Sequence, residues 1–412
     1  MDNTTSSLYR TRLAQTAGIA IFAAALPFSV TLIQGGILVF IAACLGRRRL
    51  ESAFQTLPGE ISQNPLFIPW VVYLAAGLAA SLAGINPAKS VAALNSDLLT
   101  YISFAALCLF LSPQKRELAL KVYLAALCAA AALGIGQALY GFFSAQDLRA
   151  HATSHPVRFG EIMVIGFALV LSRLSMPEAP DPRVKKLLYA AAFLLFSAIV
   201  LSQTRGAFLG AALVLAAILV IRRPTVQMLF MPAAALIALT AGLSFLNPML
   251  RANAAAIFRG TNSAASAILN AHDRSLDARL ELWKTGFKMI KDRPVFGVGP
   301  SNVKRLFPVY CKGPSPYGKI WGSLHNLYIH QAAERGLAGL GALLFLFAAM
   351  FAAALGNYRA RPSFLTLWAL ALMPAWFAMN LTEISFQHVH TSYAVMLAMA
   401  VSIKAAGRKA AA

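Results

Sequence analysis

A polar stretch interrupts an otherwise apolar chain from Asn247 to Leu324, and its central part reads HDRSLDARLELWKTGFKMIKDRP over residues 272–294. The whole stretch holds twelve Lys or Arg and only four Asp or Glu, which gives it a net charge of +8. A basic block beside apolar segments predicts an anionic, lipid-borne ligand, although a solvated connecting loop would have a similar composition. The apolar segments on either side decide the rest of the fold.

The composition is that of a membrane protein with several spans. Hydrophobic residues make up 58% of the chain, charged residues only 12%, and the mean hydropathy is +0.65. The net charge of +21 is distributed in short clusters between apolar runs, which is typical of topology signals and not of a nucleic-acid interface. The four cysteines show no zinc-binding spacing, and Cys311 alone lies in the polar stretch, so no metal site and no disulfide within that stretch are expected.

The apolar runs predict an all-α, polytopic membrane protein of about twelve transmembrane helices. The first run resembles a signal peptide, but many further runs follow, so we interpret it as a retained helix. Three regions result: residues 1–246 with helices 1–9, residues 247–324 as a large loop domain with amphipathic helices, and residues 325–412 with helices 10–12. The predicted spans are 13–28, 30–46, 66–84, 95–112, 119–142, 157–175, 187–203, 205–221, 225–246, 325–356, 363–380 and 387–405.

The distribution of Lys and Arg predicts the orientation of these spans. Nineteen of the 36 lie on the side of the two termini, and only five lie on the other side outside the polar stretch. Since positive residues are retained in the cytoplasm, both termini are expected there and the large loop faces outward. In a Gram-negative inner membrane the outward side is the periplasm.

Three arginines beside the outward ends of apolar runs are unusual for that side. Arg149 and Arg158 flank the start of the sixth predicted span, and Arg205 stands in SQTRGA at residues 202–207. A charge near hydrocarbon is costly, so such residues snorkel to the interface or serve a function. Thr204 could cap a helix that begins at Arg205, and Gly206 would let a ligand approach the backbone. A guanidinium beside a helix N-terminus would suit a phosphate.

The polar stretch contains one clear helical pattern. Apolar residues recur at helical spacing between residues 273 and 292, and they predict an amphipathic helix whose buried face is formed by Leu276, Leu280, Trp283, Phe287 and Ile290. The glycine turn FGVGPSN follows at residues 296–302, and it matches neither a Walker loop nor a Rossmann fingerprint.

His325 is the candidate base at the start of the tenth predicted span. A helix N-terminus and nearby arginines both disfavour protonation, which would leave a neutral imidazole able to accept a proton. An interfacial histidine that only forms structural hydrogen bonds is the alternative interpretation, and His388 and His390 are rival candidates. Whether Asp273 or Glu334 orients His325 stays open at this point.

Taken in order, these motifs resemble the O-antigen ligase and polymerase superfamily. The resemblance rests on SQTRGA at residues 202–207, Arg279-xxx-Trp283, PVFGVGPSN at residues 294–302, and His325-Asn326 followed by ExGLxG at residues 334–339. It covers most of the chain, and the HPVRFG segment at residues 155–160 favours the ligase branch.

That resemblance implies a site and a reaction. Such ligases transfer O-antigen polysaccharide from undecaprenyl diphosphate to a sugar hydroxyl of lipid A-core, with inversion and without metal, nucleotide or other cofactor. By motif, His325 is the expected catalytic base. The expected diphosphate- or substrate-binding residues are Arg205, Arg279, Arg158, Arg149 and Asn302.

The chemistry of the residues agrees with this expectation, because guanidinium groups can stabilise the charge that develops on a departing diphosphate. The expected partners are the undecaprenyl-diphosphate-linked O-antigen, lipid A-core and membrane lipids, with no nucleic acid. The expected location is the inner membrane of a Gram-negative bacterium, with the active site facing the periplasm. An O-antigen polymerase, a protein O-oligosaccharyltransferase and a lipid or glycan transporter are the alternatives. A transporter is disfavoured because the polar stretch has no counterpart in the first half of the chain.

Overall fold

The computed structural model describes residues 3–50, 54–144, 149–177, 181–222, 262–311 and 315–407. Within these ranges the chain is helical and contains no β-strand, which confirms the predicted all-α class. The helices are α1 (Asn3–Ala25), α2 (Val30–Leu50), α3 (Leu57–Ser62), α4 (Phe67–Leu82), α5 (Pro87–Phe110), α6 (Pro113–Phe143), α7 (Pro156–Leu174), α8 (Pro182–Leu201), α9 (Arg205–Arg222), α10 (Asn262–Asp292), α11 (Val303–Tyr310), α12 (Leu327–Ala360), α13 (Phe364–Met379) and α14 (Val389–Ala406). Short 3-10 turns cover Phe54–Thr56 and Pro316–Gly318.

Several of these helices are suited to cross a bilayer, so the chain is a polytopic membrane protein. Among the described residues, seven helices are long and apolar enough to do so: α2, α5, α6, α8, α9, α12 and α14. The apolar helices α4 and α13 have only 16 residues, or about 24 Å, less than the roughly 30 Å of hydrocarbon. The predicted span 225–246 and residues 247–261 of the polar stretch lie outside the described residues. The count of twelve therefore stays a prediction.

The membrane body is built around α13 and α14. Most of α13 is buried, because it packs against α7, α9, α12 and α14. The indole of Trp368 donates a hydrogen bond to the backbone carbonyl of Ile165 on α7, at 3.0 Å. Since a buried indole N–H needs an acceptor, this bond fixes α13 against α7 in one register.

A cluster of basic residues marks one end of this body. Arg173, at the end of α7, lies over the ring of Phe364 at 5.1 Å. Arg222 at the end of α9 donates to the Ser175 carbonyl, and Lys404 near the end of α14 donates to the Leu109 carbonyl. These helix ends lie opposite the starts of α7, α9, α12 and α14. The orientation of the two ends across the membrane stays a prediction.

The long helix α12 is broken at Gly336, and a loop fills the break. Gly336 has φ +66°, and a Cβ there would lie 2.0 Å from the Val295 carbonyl oxygen, so only glycine fits. The glycine turn predicted at residues 296–302 supplies the missing partners, because the amides of Val298 and Gly299 donate to the carbonyls of Ala333 and Glu334. In return, the amides of residues 337 and 338 donate to the carbonyls of residues 294 and 295. The loop at residues 294–302 is thus part of the helical body.

A buried ion pair lies next to this break. Arg335 of α12 donates to the carboxylate of Asp97 on α5 at 2.5 Å, with side chains only 3% and 9% exposed. The guanidinium also lies 4.9 Å from the centre of the Tyr73 ring. A charge this deep is tolerated only with a partner, so the pair ties α5 to α12.

The amphipathic helix predicted in the polar stretch is present as α10, but its buried face was predicted only in part. Trp283 and Ile290 pack against a small core as predicted, whereas Leu280 and Phe287 are 41% and 56% exposed, and the side chain of Leu276 lies outside the described part. The fully buried positions are Ala278, Leu282, Thr285, Gly286 and Met289. Leu282 belongs to the small core, together with Val298, Val303 and Leu324. Small residues on this face allow α10 to approach α12 closely. The packing gained by this close approach is more favourable than burying the larger apolar residues of the neighbouring face.

Candidate active site

The loop between α13 and α14 is the base of the candidate site, and its backbone is held by Asn380. This buried side chain donates to the Trp376 carbonyl at 2.9 Å and accepts from the Phe386 amide at 3.0 Å. The Asn380 carbonyl accepts from the amide of Leu327 at 2.8 Å. The loop and the start of α12 therefore have a fixed relative position.

His325 and Glu383 meet across this junction. Nδ1 of His325 lies 3.0 Å from Oε2 of Glu383, whose other oxygen accepts from the Ile384 amide. Burial would raise the pKa of the Glu383 carboxyl, but the hydrogen bond from His325, with the attraction of His325 and His388 in their protonated forms, holds that pKa below its ordinary value. An ionised carboxylate only accepts hydrogen bonds, so Nδ1 carries the proton and Nε2 of a neutral ring is left as an acceptor.

The backbone and the aromatic neighbour of His325 also constrain its ring. His325 has φ +49°, a left-handed conformation that is uncommon for a residue with a side chain, and its amide donates to Ser323. The ring packs edge-on against Trp321, with centroids 5.2 Å apart. Strained backbone of this kind is typical of functional positions, and the side chain is still 27% exposed.

Arg149 holds the turn that precedes α9. Its guanidinium donates to the Ser202 carbonyl at 2.8 and 2.6 Å and to the Thr204 hydroxyl at 3.1 Å. Thr204 accepts the first helical bond of α9 through its carbonyl, from the amide of Phe208, as predicted for a cap position. Arg149 was predicted to bind the diphosphate, but these bonds commit two of its nitrogens to the backbone. Its observed role is to fix the residue before Arg205.

Arg205 itself is exposed at the first position of α9. Its neighbour Gly206 is approached closely by Thr382, whose hydroxyl would lie 2.5 Å from an added Cβ. The sequence predicted that this glycine lets a ligand approach the backbone, which stays a prediction, and the structure shows that it makes room for the loop of Glu383. The contact brings the start of α9 beside the His325–Glu383 pair.

Arg279 reaches the same region from α10. One turn later on that helix, the indole of Trp283 donates to the Leu324 carbonyl at 3.1 Å, so α10 is held directly beside His325. Burial lowers the pKa of the Arg279 guanidinium, the Glu383 carboxylate raises it, and the positive charge of Arg205 lowers it further. These effects show that Arg205, Arg279 and Glu383 share one electrostatic environment, and the guanidinium stays protonated at neutral pH.

Arg158 and two histidines complete the cluster on the side of α7. Arg158 is exposed in the first turn of that helix, and its charge acts on both His155 and His388. Burial lowers the pKa of His155, and it lowers the pKa of His388 to about 4, while in both cases the Glu383 carboxylate opposes the shift. His388 is therefore neutral at physiological pH. Both His388 and His325 are partly exposed, and the contact with Glu383 is what favours His325 as the base.

His390, the other rival, is also committed to the structure. Its Nδ1 lies 2.8 Å from the carbonyl oxygen of Leu26, and the residue is only 6% exposed. A ring held by a backbone carbonyl in the interior has no route to a substrate.

Asn302 was predicted to bind substrate, and the structure corrects this prediction. Its side chain is fully buried and donates to the Ser90 hydroxyl at 2.9 Å and the Val298 carbonyl at 3.2 Å. Glu334, one of the two acids considered for orienting His325, instead accepts from the Ser301 amide at 2.8 Å. Both residues shape the glycine turn, while the other acid, Asp273, has a side chain outside the described part.

The residue that sequence reasoning missed is Glu383. The signal was present, since it is an acid in a short outward loop beside the last predicted span, where few acids occur. Across the described ranges, no group of three His, Cys, Asp or Glu side chains is arranged to hold a metal ion. The groups of the cluster that could take part in a reaction are one imidazole–carboxylate pair, His325 and Glu383, and the arginines Arg158, Arg205 and Arg279.

Comparison with known proteins assigns the central part of the chain. Residues 190–344 match a family model described as O-antigen ligase. An uncharacterised protein of Haemophilus influenzae is 34% identical over 92 residues, which covers 21% of this chain and 23% of that relative. The matched family region contains Arg205, Arg279 and His325. The match at residues 190–344 is consistent with a member of the O-antigen ligase superfamily.

Proposed function

We propose that this protein is an O-antigen ligase that transfers a polysaccharide from undecaprenyl diphosphate to a sugar hydroxyl of lipid A-core. The observation that carries the proposal is the His325–Glu383 pair, 3.0 Å apart, beside Arg205 and Arg279 at one end of the helical body. The family match at residues 190–344 supports a lipid-linked sugar as the substrate class.

His325 is the general base in this mechanism. Glu383 accepts the Nδ1 proton, so Nε2 can take the proton of the acceptor hydroxyl as its oxygen attacks the anomeric carbon. The imidazolium that forms lies beside an anionic carboxylate, which stabilises it. One displacement of this kind inverts the configuration at the anomeric carbon.

The arginines act on the leaving group. As the glycosidic carbon–oxygen bond breaks, the electron pair passes to the diphosphate, and its negative charge increases. Guanidiniums already held in place stabilise that charge without reorganisation. We assign this role to Arg205 and Arg279 first and to Arg158 next, in a reaction that needs no metal ion.

The outward orientation belongs to the same proposal. The basic residues Arg173, Arg222 and Lys404 lie at the opposite end of the body from His325. If that end is cytoplasmic, the site faces the periplasm of a Gram-negative inner membrane, where a lipid-linked polysaccharide and lipid A-core can meet.

Reconstituted ligation tests the proposal. Purified protein in liposomes is given undecaprenyl-diphosphate-linked O-antigen and rough lipopolysaccharide, with and without a chelator. A parallel reaction replaces the lipopolysaccharide by a second lipid-linked glycan, the acceptor of a polymerase. We expect chelator-resistant transfer to the lipopolysaccharide, and a loss of at least a thousandfold in His325→Ala. Transport of donor without transfer, or wild-type transfer by a well-inserted His325→Ala protein, would overturn the proposal.

A further inference from the structure

A cleft lies on the outer side of α10, next to the candidate site but not part of it. It has a volume of about 610 Å³, and its walls are one face of α10 and the 3-10 turn Pro316–Gly318. The wall from α10 carries Asp277, Leu280 and Glu281, and the turn contributes Tyr317. This volume is in the range of small-ligand sites, and the cleft combines apolar surface with a few polar groups as such sites do.

Two aromatic residues connect the cleft with His325. Tyr317 is 59% exposed and has φ +55°, so a strained backbone presents a large aromatic ring at the surface. Its ring centre is 6.3 Å from that of Trp321, which is 5.2 Å from the ring of His325. The indole of Trp321 donates to the Pro316 carbonyl at 2.9 Å, which fixes its orientation. Tyr317, Trp321 and His325 therefore form a continuous aromatic row.

The charges of the cleft indicate a sugar and not a phosphate. Asp277 and Glu281 are one turn apart on α10 and both line the cleft, although the surrounding stretch is strongly basic. Two carboxylates would repel a phosphate, but they accept hydrogen bonds from sugar hydroxyls. The negative face of an aromatic ring attracts the polarised C–H groups on the face of a pyranose. Nζ of Lys284, at the rim, lies 3.6 Å from Oε2 of Glu281 and partly neutralises its negative charge.

The position of the row decides which sugar would occupy it. The base must contact the hydroxyl that attacks, so the sugar next to the imidazole belongs to the acceptor. Arg279 is half-buried on α10, one turn before Trp283, whose indole bonds to the carbonyl of Leu324 next to His325. The donor diphosphate thus belongs on the arginine side, and the acceptor belongs on the aromatic side.

We propose that the cleft and the row of Tyr317 and Trp321 form the acceptor subsite, which binds the outer core sugars of the acceptor lipid by stacking and carboxylate hydrogen bonds. This inference rests on the proposed ligase function. Tyr317 would determine acceptor affinity without taking part in the chemistry, because it is separated from His325 by Trp321.

The test compares Tyr317→Ala with Tyr317→Phe, which keeps the ring. In reconstituted ligation with rough lipopolysaccharide, we expect Tyr317→Ala to raise the acceptor KM about five- to tenfold, with kcat and the donor KM within about twofold of wild type. Tyr317→Phe should restore most of the lost affinity, because stacking needs the ring and not the hydroxyl. Phe287→Ala is the matched control, since Phe287 is an exposed aromatic residue on α10 outside the cleft.

A binding measurement separates this inference from the proposed function. Calorimetric titration of the protein in nanodiscs uses the lipid-free core oligosaccharide released from rough lipopolysaccharide, and it needs no turnover. Weaker binding to Tyr317→Ala than to wild type and Phe287→Ala would support the subsite even if no ligation occurs. Equal binding to all three proteins, or a Tyr317→Ala defect confined to the donor KM, would overturn it.

Discussion

Glu383→Gln keeps the size of the side chain that contacts His325 but removes its negative charge. A glutamine has a single carbonyl oxygen, so it can accept from Nδ1 or from the Ile384 amide, but not from both as the carboxylate does. With that oxygen turned toward Nδ1, the variant loses the bond from the Ile384 amide and the negative charge that stabilises the imidazolium formed when His325 takes a proton. The loss of charge is the change that acts directly on the imidazole.

The size of that contribution follows from the geometry. Two unit charges about 4 Å apart, at the effective dielectric constant of about 20 that applies near a protein surface, interact by about 4 kcal/mol. Nδ1 and Oε2 are 3.0 Å apart and the carboxylate is only 7% exposed, but the His325 side chain is 27% exposed and its charge is partly screened. Halving the value for this screening leaves about 2 kcal/mol, or a roughly 30-fold fall in kcat.

The assay is reconstituted ligation at saturating donor and acceptor, with equal amounts of inserted protein. Glu117→Gln is the matched control, since that carboxylate is exposed on α6 and pairs only with Lys121 among the interactions described. The double variant His325→Ala/Glu383→Gln should be no slower than His325→Ala, because the carboxylate acts through the imidazole. A Glu383→Gln enzyme with wild-type kcat, or additive losses in the double variant, would refute this account of the base.

Arg205→Lys keeps the charge at the start of α9 but loses the planar fork of the guanidinium, so the ligation rate should fall at least tenfold. The control is Arg183→Lys, at an exposed arginine, and it should stay active. Equal rates for the two variants would exclude a bidentate role of Arg205. Asp97→Asn leaves the Arg335 guanidinium buried without its anion, so the free energy of unfolding should fall by about 3–5 kcal/mol. This is measured as a lower melting midpoint in detergent, and an unchanged midpoint would contradict it. Burial lowers the pKa of His388 from 6.5 to about 4, so the unfolded chain binds the proton more tightly. Stability should therefore fall by on the order of 3 kcal/mol between pH 6.5 and 4, and His388→Gln should lack this decline when melting is followed against pH.

The sequence predicted the helices well where composition decides the outcome. Apolar runs coincide with α2, α7 and α9 to within a few residues, because hydrocarbon allows few alternatives to a helix. The gathering of Arg205 and His325 at one end was also predictable, since alternating spans place those segments on one side.

What could not be predicted depends on contacts between distant residues. Glu383 reaches His325 across 58 positions of sequence, through a loop whose path is set by Asn380. The buried face of α10 was predicted only in part for a related reason. Apolar periodicity favoured Leu280 and Phe287, but Gly286 fits closely against Leu324 and Ile329, and that fit cannot be read from one helix alone.

The broken helix at Gly336 has a consequence for how the molecule is assembled. The segment 294–299 completes the hydrogen bonding of α12, and Ala333 and Glu334 are buried, so no water is at hand to replace it. Removing that segment would strand the carbonyls at residues 333 and 334, so the loop and α12 should fold as one cooperative unit. An excised polypeptide with only α10 and this loop would lack the α12 partners of its backbone and should not attain its native form.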